Sequence, residues 1–522
     1  MARQNGSTAT ARKRKKLRID GTSLSVDDLA PIARGDVTIT LSADAKARVK
    51  RAEKVVRTAL AGDTTAYGIN TGFGRFCNVQ ISPRQVRRLQ QNLVRSHGAG
   101  CGPEIPEDVV RLMLVFRANA LARGNSGIRP STLKLLTDMV AHDVLPCIPS
   151  QGSVGASGDL APLAHLAQVL IGEGWATVGG KRLRGRAALR KVGLEPIILE
   201  AKEGLSLING VQASSAYLAD ALVRTRRIFD TADIIAAITL ESLLGSLSPF
   251  DARIHDVRPH AGQGRVAERV RALIAGSEIL ESHRDCGRVQ DAYSLRCVPQ
   301  VHGAGRDALA YVEQCLITEV NSATDNPLIF PTDDGPGSGD ILSGGNFHGA
   351  PIGYAADLLG IVVADLASIA ERRIERMVNP DLSGLSPFLS RQEGIESGYM
   401  MAQVTAAALV SENKVHAHPA SVDTVPTSAG TEDHVSMSTI AARKAHQIVR
   451  NAEHVLGIEL MIALDAFETR RPLKSGKALE RAITVAREQL PRVLGDRNLS
   501  DEIEQAAGIV SSGVLESAAR IG

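Results

Sequence analysis

The feature that most constrains the fold is a stretch of residues that is apolar on nearly every face. Residues 352–377 are rich in Ala and Gly, and Asp357 and Asp365 are their only charged residues before the charged run at residues 371–376. An α-helix that is apolar all round is buried, either within a large helical bundle or at a subunit interface. Small side chains let helices approach closely, so a core can pack densely although only 3% of residues are aromatic. The stretch therefore predicts long helices at the centre of an oligomer.

Helical spacing of apolar residues dominates from about residue 205 onward. Before that point, predicted helices at residues 83–97 and 107–123 alternate with Gly-rich loops, and residues 176–183 predict a small hairpin. The later helix candidates are residues 211–245, 305–320, 351–378, 400–416, 434–466, 475–490 and 500–521. We expect a mainly α fold in three parts: a basic mobile tail (1–20), a mixed, loop-rich N-terminal domain (21–205) and a domain formed by a long central helical bundle (206–522).

The charge distribution argues against a body that binds nucleic acid. The net charge is +3, but residues 1–19 hold seven Lys or Arg and no acidic residue, so the rest of the chain is mildly acidic. Only this tail, with RKRKK at residues 12–16, could bind a polyanion, and a solvated arm is the simpler interpretation. Six scattered cysteines without a CxxC motif predict a reduced, cytoplasmic protein. The chain has no secretory signal and no run of 18 apolar residues, so no membrane association is expected.

Several common catalytic patterns are missing from the sequence. It contains no GxGxxG, GxxxxGK[ST] or HExxH motif, and Ser157 lies in GASGD, which lacks the last glycine of GxSxG. His416, His418, Asp423 and His434 fit no standard metal-ligand spacing, so no metal site is predicted. These absences argue against dinucleotide-dependent redox chemistry, P-loop phosphoryl transfer, zincin hydrolysis and the α/β-hydrolase mechanism.

The most unusual segment is GSVGASGDLAPLAH at residues 152–165. An Ala-Ser-Gly tripeptide is ordinarily a turn, but Gly158 has no Cβ, so its amide nitrogen can approach the carbonyl carbon of Ala156. If the chain is compressed there, attack of that nitrogen closes a five-membered ring. Loss of water from the ring, and of the Ser157 hydroxyl as water, gives a methylidene-imidazolone. This is an electrophile made without an added cofactor.

The segment resembles the signature of the aromatic amino acid ammonia-lyases, whose prosthetic group, 4-methylidene-imidazol-5-one (MIO), forms from Ala-Ser-Gly. The resemblance covers nearly the whole chain from about residue 21. It includes YGINTGFG at 67–74, LING at 207–210, QDAYSLR at 290–296, NSATDNP at 321–327 and GNFHG at 345–349. It implies that the loop-rich N-terminal domain carries MIO. It also implies a homotetramer whose active sites combine residues of different subunits.

Within this family the chain resembles the histidine-specific members. The segments that carry this resemblance are Ser96-His97, SENK at 411–414, HPASVD at 418–423 and EDHVSM at 432–437. Burying an imidazole is costly without polar partners, and His97 and Glu412 would supply them. The implied reaction is the non-oxidative deamination of L-histidine to trans-urocanate and ammonia. The alternatives are a tyrosine or phenylalanine ammonia-lyase, a 2,3-aminomutase, and a non-catalytic scaffold that binds nucleic acid through its tail.

The resemblance implies a role for each matched residue. The catalytic group is Ala156, Ser157, Gly158, Tyr67, Tyr293 and Glu412, and the substrate-binding group is His97, Asn209, Gln290, Arg296 and Phe347. Tyr67 would take the β-proton and Arg296 would clamp the carboxylate, while Glu412 would bind the imidazole or transfer a proton. Asn209, Gln290 and Tyr293 would line MIO and stabilise charge on its oxygen, with Phe347 beside it. The reaction of MIO with either the amine or the ring of the substrate stays open. Asp159 could cap the helix that follows Gly158.

Overall fold

α-Helices make up most of the structure, which confirms the predicted mainly α class. The computed structural model describes residues 14–62, 66–76 and 78–520. The helices from the first part of the chain are α1 (Val26–Ala33), α2 (Ala43–Ala61), α3 (Pro83–His97), α4 (Glu107–Ala122), α5 (Pro130–Ala141), α6 (Leu160–Leu170), α7 (Gly185–Lys191), α8 (Glu203–Ile208), α9 (Gln212–Ser242), α10 (Ala252–Asp256) and α11 (Ala261–Leu273). They continue with α12 (Glu278–Ser282), α13 (Tyr293–Arg296), α14 (Val298–Val320), α15 (Ala350–Val378), α16 (Pro380–Ser383), α17 (Met400–His416), α18 (Ser438–Glu468), α19 (Lys477–Gln489), α20 (Ser500–Ser512) and α21 (Val514–Ala519).

The predicted helices agree closely with these bounds. Helices α3 and α4 lie where apolar spacing of three and four predicted them, and α17 matches its predicted bounds. The candidate at residues 500–521 divides into α20 and α21 because Gly513 adopts φ +77°, a left-handed conformation that ends a helix. Helix α14 starts seven residues before its predicted start, at Val298 rather than residue 305.

Short strands form small sheets. The strands are β1 (Lys15–Ile19), β2 (Val37–Leu41), β3 (Cys101–Glu104), β4 (Leu145–Pro146), β5 (Pro149–Gln151), β6 (Trp175–Val178), β7 (Lys181–Arg184), β8 (Leu328–Pro331) and β9 (Gly339–Leu342). Strands β6 and β7 form the predicted hairpin, in which Ala176 pairs with Leu183. Strand β3 pairs with β5, and β8 pairs with β9, in both cases antiparallel.

The predicted mobile tail is wrong for residues 15–19. These residues form β1, which pairs in parallel with β2 from Lys15 opposite Val37 to Ile19 opposite Leu41. The partner strand lies about twenty residues further along the chain, so the local composition of the tail did not indicate the pairing. The RKRKK run lies partly outside the described residues.

Compact packing divides the described chain into two units. Unit 1 contains the residues up to Asp220 together with Gln314–Ala355 and Ala420–Arg443. Unit 2 contains Ala221–Glu313, Ala356–Pro419 and the residues from Lys444 onward. The predicted boundary at residues 205/206 is a single cut, whereas unit 1 also takes in two later segments.

Small and branched side chains fill the core of unit 1. Nearly every residue of α4 is buried, including Val109, Leu112 and Phe116. A neighbouring cluster packs the buried face of α2 against Ile69, Val86 and Ile329. This packing holds the loops between the helices in place, and those loops carry the site described below.

Helix α15 contains most of the apolar stretch that opened the sequence analysis. Among the described residues it is the one helix long and apolar enough, by length and composition, to cross a membrane, and 61% of its most apolar window is buried inside the protein. Ile352, Leu359 and Val363 are fully buried, as predicted for a core helix. Tyr354 and Ile361 are exposed on the same helix.

Candidate active site

The Ala156-Ser157-Gly158 tripeptide lies between β5 and α6, in a loop with a constrained backbone. Ser157 has φ +48° and Gly158 has φ +76°, both in the left-handed region. Such a conformation costs a non-glycine residue such as Ser157 about 1–3 kcal/mol. The surrounding structure must therefore hold the tripeptide in place.

Gly158 packs directly against the backbone of Gly210. A Cβ at position 158 would lie 2.1 Å from the carbonyl oxygen of Gly210, which is too close for any side chain. The same oxygen accepts a hydrogen bond from the amide of Asp159 at 2.6 Å, and the Gly210 amide donates to the Ser157 carbonyl at 3.3 Å. A glycine without space for a Cβ, in a backbone held on both sides, fits the ring closure that the resemblance implies.

A cavity of about 1250 Å³ in unit 1 is lined by two residues of the tripeptide and by several other predicted residues. The predicted residues that line it are Tyr67, His97, Ala156, Ser157, Asn209 and Phe347. They come from five separate segments of the chain. The fold of unit 1 therefore assembles more than half of the predicted site residues around one space.

Tyr67 lies in the loop that follows α2 and precedes α3. Its hydroxyl oxygen accepts a hydrogen bond from the Gly74 amide at 3.4 Å, and its ring packs edge-on against Phe73, with the ring centres 6.3 Å apart. Both contacts come from within the YGINTGFG segment. The glycine-rich loop thus folds back on the tyrosine and orients its hydroxyl at the cavity.

His97 is the last residue of α3, and its imidazole has a defined protonation pattern. Its Nδ1 lies 2.9 Å from the Leu93 carbonyl oxygen. A carbonyl only accepts, so Nδ1 carries the proton in this contact. Burial lowers the pKa of His97 below its ordinary value, although the Leu93 carbonyl and the Glu432 carboxylate act in the opposite direction. The neutral ring therefore keeps the lone pair of Nε2 available as an acceptor.

Glu432 is a site residue that the sequence-based assignment missed. It lines the same cavity, and its Oε1 accepts a hydrogen bond from the Ser157 hydroxyl at 3.4 Å. Its Oε2 accepts from the Thr427 hydroxyl at 2.7 Å, which orients the carboxylate. Glu432 is the first residue of the EDHVSM segment, whereas the sequence analysis assigned a role to the glutamate of the SENK segment, Glu412.

The role of Glu412 in the site stays a prediction, because this residue belongs to unit 2 and the cavity lies in unit 1. Glu412 lies on α17 in unit 2, is exposed, and is absent from the described lining of the cavity. Its Oε2 accepts from Asn451 Nδ2 at 2.8 Å, and His416 lies 3.6 Å from its Oε1. The i, i+4 spacing on one helix explains the contact with His416.

Asn209 follows α8 and contributes an amide to the cavity wall. Its Nδ2 donates to the Asn326 carbonyl at 3.0 Å, while its Oδ1 is buried and has no hydrogen-bond partner among the described residues. Its backbone carbonyl accepts from the fully buried Arg117 at 2.8 Å. An orphaned buried acceptor beside the tripeptide is a position where a bound donor would regain a hydrogen bond.

Gln290, Tyr293 and Arg296 belong to unit 2 and are not among the described residues that line the unit 1 cavity. Gln290 and Arg296 line a different cavity of about 910 Å³. The guanidinium of Arg296 lies 4.6 Å from the ring centre of Tyr293, whose side chain is 71% exposed. Arg296 Nε is buried and has no hydrogen-bond partner within the described chain.

Asp159 caps a helix, but not the one predicted. It precedes α6, yet its side chain makes no capping bond there. Its Oδ2 instead accepts from the backbone amide of Ser214 at 2.8 Å, in the first turn of α9. Burial raises the pKa of Asp159, although Thr439 and Ser214 donate hydrogen bonds to it. On α6, His165 Nε2 accepts from the Gly100 amide at 3.1 Å, a contact that joins α6 to the segment after α3.

His348 and His434 also meet at the cavity wall. Their rings stack with centres 5.8 Å apart. Within the described ranges, no group of three or more His, Cys, Asp or Glu side chains is arranged to hold a metal ion.

Comparison with known proteins identifies the family. The family model described as aromatic amino acid lyase matches residues 24–488. A histidine ammonia-lyase from Myxococcus xanthus is 49% identical over 507 residues, covering 97% of this chain and 99% of the relative. A second histidine ammonia-lyase, from Gloeobacter violaceus, is 51% identical and covers 95% of this chain and 96% of the relative.

Solved structures agree with this assignment. The crystal structure of histidine ammonia-lyase from Trypanosoma cruzi superposes with a TM-score of 0.88 at 42% identity, covering 97% of this chain and 95% of that one. Tyrosine aminomutase from Streptomyces globisporus gives a TM-score of 0.89 at 36% identity, with 97% and 98% coverage. The chain described here belongs to the aromatic amino acid lyase family.

Proposed function

We propose that this carbon–nitrogen lyase is a histidine ammonia-lyase, which converts L-histidine to trans-urocanate and ammonia. The observation that carries the proposal is that His97 and Glu432 line the same cavity, where Glu432 contacts Ser157. The chain is 49% and 51% identical in sequence to two histidine ammonia-lyases over nearly its full length, which supports the same substrate.

The polar pair suits an imidazole better than a phenyl ring. A neutral imidazole has one N–H donor and one acceptor nitrogen. The Glu432 carboxylate accepts from a donor, as it does from the Ser157 hydroxyl at 3.4 Å. A phenyl ring would remove water from this carboxylate without replacing the hydrogen bond, which is unfavourable. The site therefore favours histidine over phenylalanine because a phenyl ring would leave buried polar groups without hydrogen bonds.

The electrophile of the reaction is MIO, formed from Ala156, Ser157 and Gly158. When formed, it supplies an electrophilic methylidene carbon that helps the amino group leave. The chain's own residues hold it: Gly210 lies against Gly158, and Asn209 contributes to the wall beside it. The left-handed backbone of Ser157 and the missing Cβ of Gly158 support ring closure at this place.

Tyr67 is the base that removes the β-proton of the substrate. Its hydroxyl oxygen faces the cavity that the tripeptide lines and is oriented by the Gly74 amide. The Gly74 N–H donates to the tyrosine oxygen, so it stabilises negative charge there. A phenolate next to the β-carbon accepts the proton while the amine departs from the neighbouring carbon.

The active form is a homotetramer in which other copies of the chain supply Gln290, Tyr293 and Arg296. Three observations support this part of the proposal. The side chains of Tyr293 and Val289 are 71% and 95% exposed. Arg296 Nε is buried and unpaired within the described chain, which leaves a donor for a carboxylate. Helix α15 exposes Tyr354 and Ile361, which suits an interface between subunits.

A cytoplasmic location is also part of the proposal. The cysteines at positions 101, 147, 286, 297 and 315 are free thiols. A chain with this many unpaired cysteines suits a reducing compartment.

Two measurements test the proposal. The purified protein is incubated separately with L-histidine, L-tyrosine and L-phenylalanine, and the products are followed by their ultraviolet absorbance. We expect urocanate; coumarate or cinnamate without urocanate would assign a different lyase, and a β-amino acid product would assign an aminomutase. Intact mass tests the electrophile, and a chain that has lost no water would favour a non-catalytic scaffold.

A further inference from the structure

We propose that the hydroxyl of Thr439 positions the loop at residues 153–159 for ring closure, by holding both ends of the loop at the first turn of α18. The inference rests on the proposed function, because it concerns how the electrophile of that site forms. Thr439 is a positioning residue here, since it contacts neither the reacting nitrogen nor the reacting carbonyl group.

One buried hydroxyl contacts both sides of the tripeptide. Thr439 Oγ1 donates to Asp159 Oδ1 at 2.5 Å. The same oxygen lies 3.1 Å from the hydroxyl oxygen of Ser153. Ser153 precedes the tripeptide and Asp159 follows it, so the loop leaves and returns to the same point. A loop closed in this way has few conformations left, and those that remain bend the chain at Ala156, Ser157 and Gly158.

The other contacts of Asp159 make Thr439 one of two anchors. Asp159 Oδ2 accepts from the amide and the hydroxyl of Ser214, at 2.8 and 2.9 Å. Ser214 lies in the first turn of α9, where backbone amides point toward a negative charge. Asp159 is fully buried, so each lost donor leaves a carboxylate oxygen without a replacement from water. The Ser214 anchor holds one oxygen, and Thr439 alone joins the other oxygen to Ser153.

The loop is also held from outside by the chain just before α18. The Met437 amide donates to the Val154 carbonyl at 2.9 Å. A Cβ at Gly155 would lie 2.2 Å from the Ser436 hydroxyl oxygen. Residues 436–439 therefore pack closely against the loop, and Gly210 packs against Gly158. Thr439 joins this packing to Asp159, the residue next to the attacking nitrogen.

Ring closure needs the Gly158 nitrogen to lie close to the carbonyl carbon of Ala156, and it needs no other reactant. The Gly158 nitrogen bonds to the carbonyl carbon of Ala156, and the nitrogen's proton passes to the carbonyl oxygen. The resulting hydroxyl leaves as water with the amide proton of Ser157. The Ser157 hydroxyl leaves as a second water with the hydrogen of its own Cα. Holding the Gly158 nitrogen and the Ala156 carbonyl carbon at reacting distance lowers the barrier to the first step, because folding has already met the entropy cost of orienting the two groups.

The test compares the substitutions Thr439→Val and Thr439→Ser. Valine keeps the shape of the side chain and removes the hydroxyl, whereas serine keeps the hydroxyl. The readout is the fraction of chains whose peptide containing residues 152–165 has lost two waters, measured by mass spectrometry at set times after induced synthesis. We expect Thr439→Val to slow this loss about tenfold or more, as befits a lost hydrogen bond to a carboxylate, and Thr439→Ser to restore it.

Matched variants separate positioning from folding. Thr225 on α9 is fully buried and its hydroxyl donates only to the Ala221 carbonyl at 2.7 Å, so Thr225→Val removes a buried hydroxyl away from the loop. We expect the Thr225→Val variant to lose two waters at the same rate as the parent protein. If Thr439→Val does not fold, Ser153→Ala removes the contact of Ser153 with the Thr439 hydroxyl, together with its contacts with the Gly155 amide and the Gly158 carbonyl. This variant should also slow the loss of water, and a parent-like rate would overturn the positioning role.

The outcomes distinguish this inference from the proposed function. A folded Thr439→Val protein that loses two waters as fast as the parent overturns the role of Thr439 and leaves the lyase proposal intact. A parent protein that keeps both waters instead overturns the proposed electrophile itself. Equal slowing in Thr225→Val would also refute the positioning role, because any loss of a buried hydroxyl would then have the same effect.

Discussion

Replacing Glu432 with glutamine tests which carboxylate recognises the substrate. The substitution keeps the size and shape of the side chain but removes its negative charge. Glu432 is oriented by the Thr427 hydroxyl at 2.7 Å and reaches the Ser157 hydroxyl at 3.4 Å. It is thus a fixed acceptor at the place where the reacting substrate binds.

The size of the effect follows from the type of hydrogen bond lost. A hydrogen bond to a charged group contributes about 1.5–3 kcal/mol. Each 1.4 kcal/mol corresponds to about a tenfold change in rate, so we expect kcat/KM for L-histidine to fall about 10- to 150-fold. The amide of glutamine can also turn its donor toward the acceptor nitrogen of an imidazole, which keeps the loss below that of a complete deletion.

The assay follows urocanate absorbance at several histidine concentrations and is run in parallel on Glu412→Gln. Glu412 bonds to Asn451 and does not line the unit 1 cavity, so its variant should stay within about twofold of the parent unless another copy of the chain supplies this carboxylate to the site. Intact mass is measured for both proteins, so that incomplete ring formation is not mistaken for lost recognition. A large loss in Glu412→Gln together with a parent-like Glu432→Gln would refute the structural assignment and restore the sequence-based one.

Three further predictions follow from other parts of the molecule. Tyr67→Phe removes the proposed base and should lower kcat about 100- to 10,000-fold, while the chain still loses two waters; a parent-like kcat would exclude Tyr67 as the base. Gly158→Ala places a Cβ 2.1 Å from the Gly210 oxygen, so we expect a chain that retains both waters and has no lyase activity, and full activity would contradict the fit of the loop. Burial would raise the pKa of Asp233, but Arg306 and its other partners bring it to about 2, below its ordinary value of 3.8. The ionised Asp233 carboxylate therefore stabilises the folded protein at neutral pH, and this stabilisation is lost as the pH falls from about 4 to 2. Asp233→Asn should lower the free energy of unfolding in urea by about 3–5 kcal/mol at pH 7, and an unchanged midpoint would show that the buried pairs add nothing.

Local patterns predicted the helices well because those patterns act over short distances. Apolar spacing located α3, α4 and α17, and a glycine-rich stretch located the β6–β7 hairpin. Prediction failed where the partner was distant in sequence. Strand β1 was taken for a mobile tail because its pairing with β2 is not visible in its own composition. The side chain of Asp159 was expected to cap α6, whereas it bonds to Ser214 in α9, 55 residues away.

Motif matching located most of the cavity but did not single out Glu432. Two segments, SENK and EDHVSM, each offered an acidic residue, and nothing local distinguished them. The fold places Glu432 beside Ser157, 275 residues earlier in the chain, while Glu412 faces solvent and bonds to Asn451. Tyr67, His97, Asn209 and Phe347 line the cavity as their motifs implied.

The sequence by itself determined the family, the helical class and the tripeptide from which the electrophile can form, because these depend on residue types and their order. The tertiary structure was needed to show which side chains surround that tripeptide and which contacts hold its loop. Gly210 approaches Gly158 from one side, and Thr439 joins Ser153 to Asp159 from the other. Such contacts depend on packing between segments up to 286 residues apart, and no local pattern of residues records that packing.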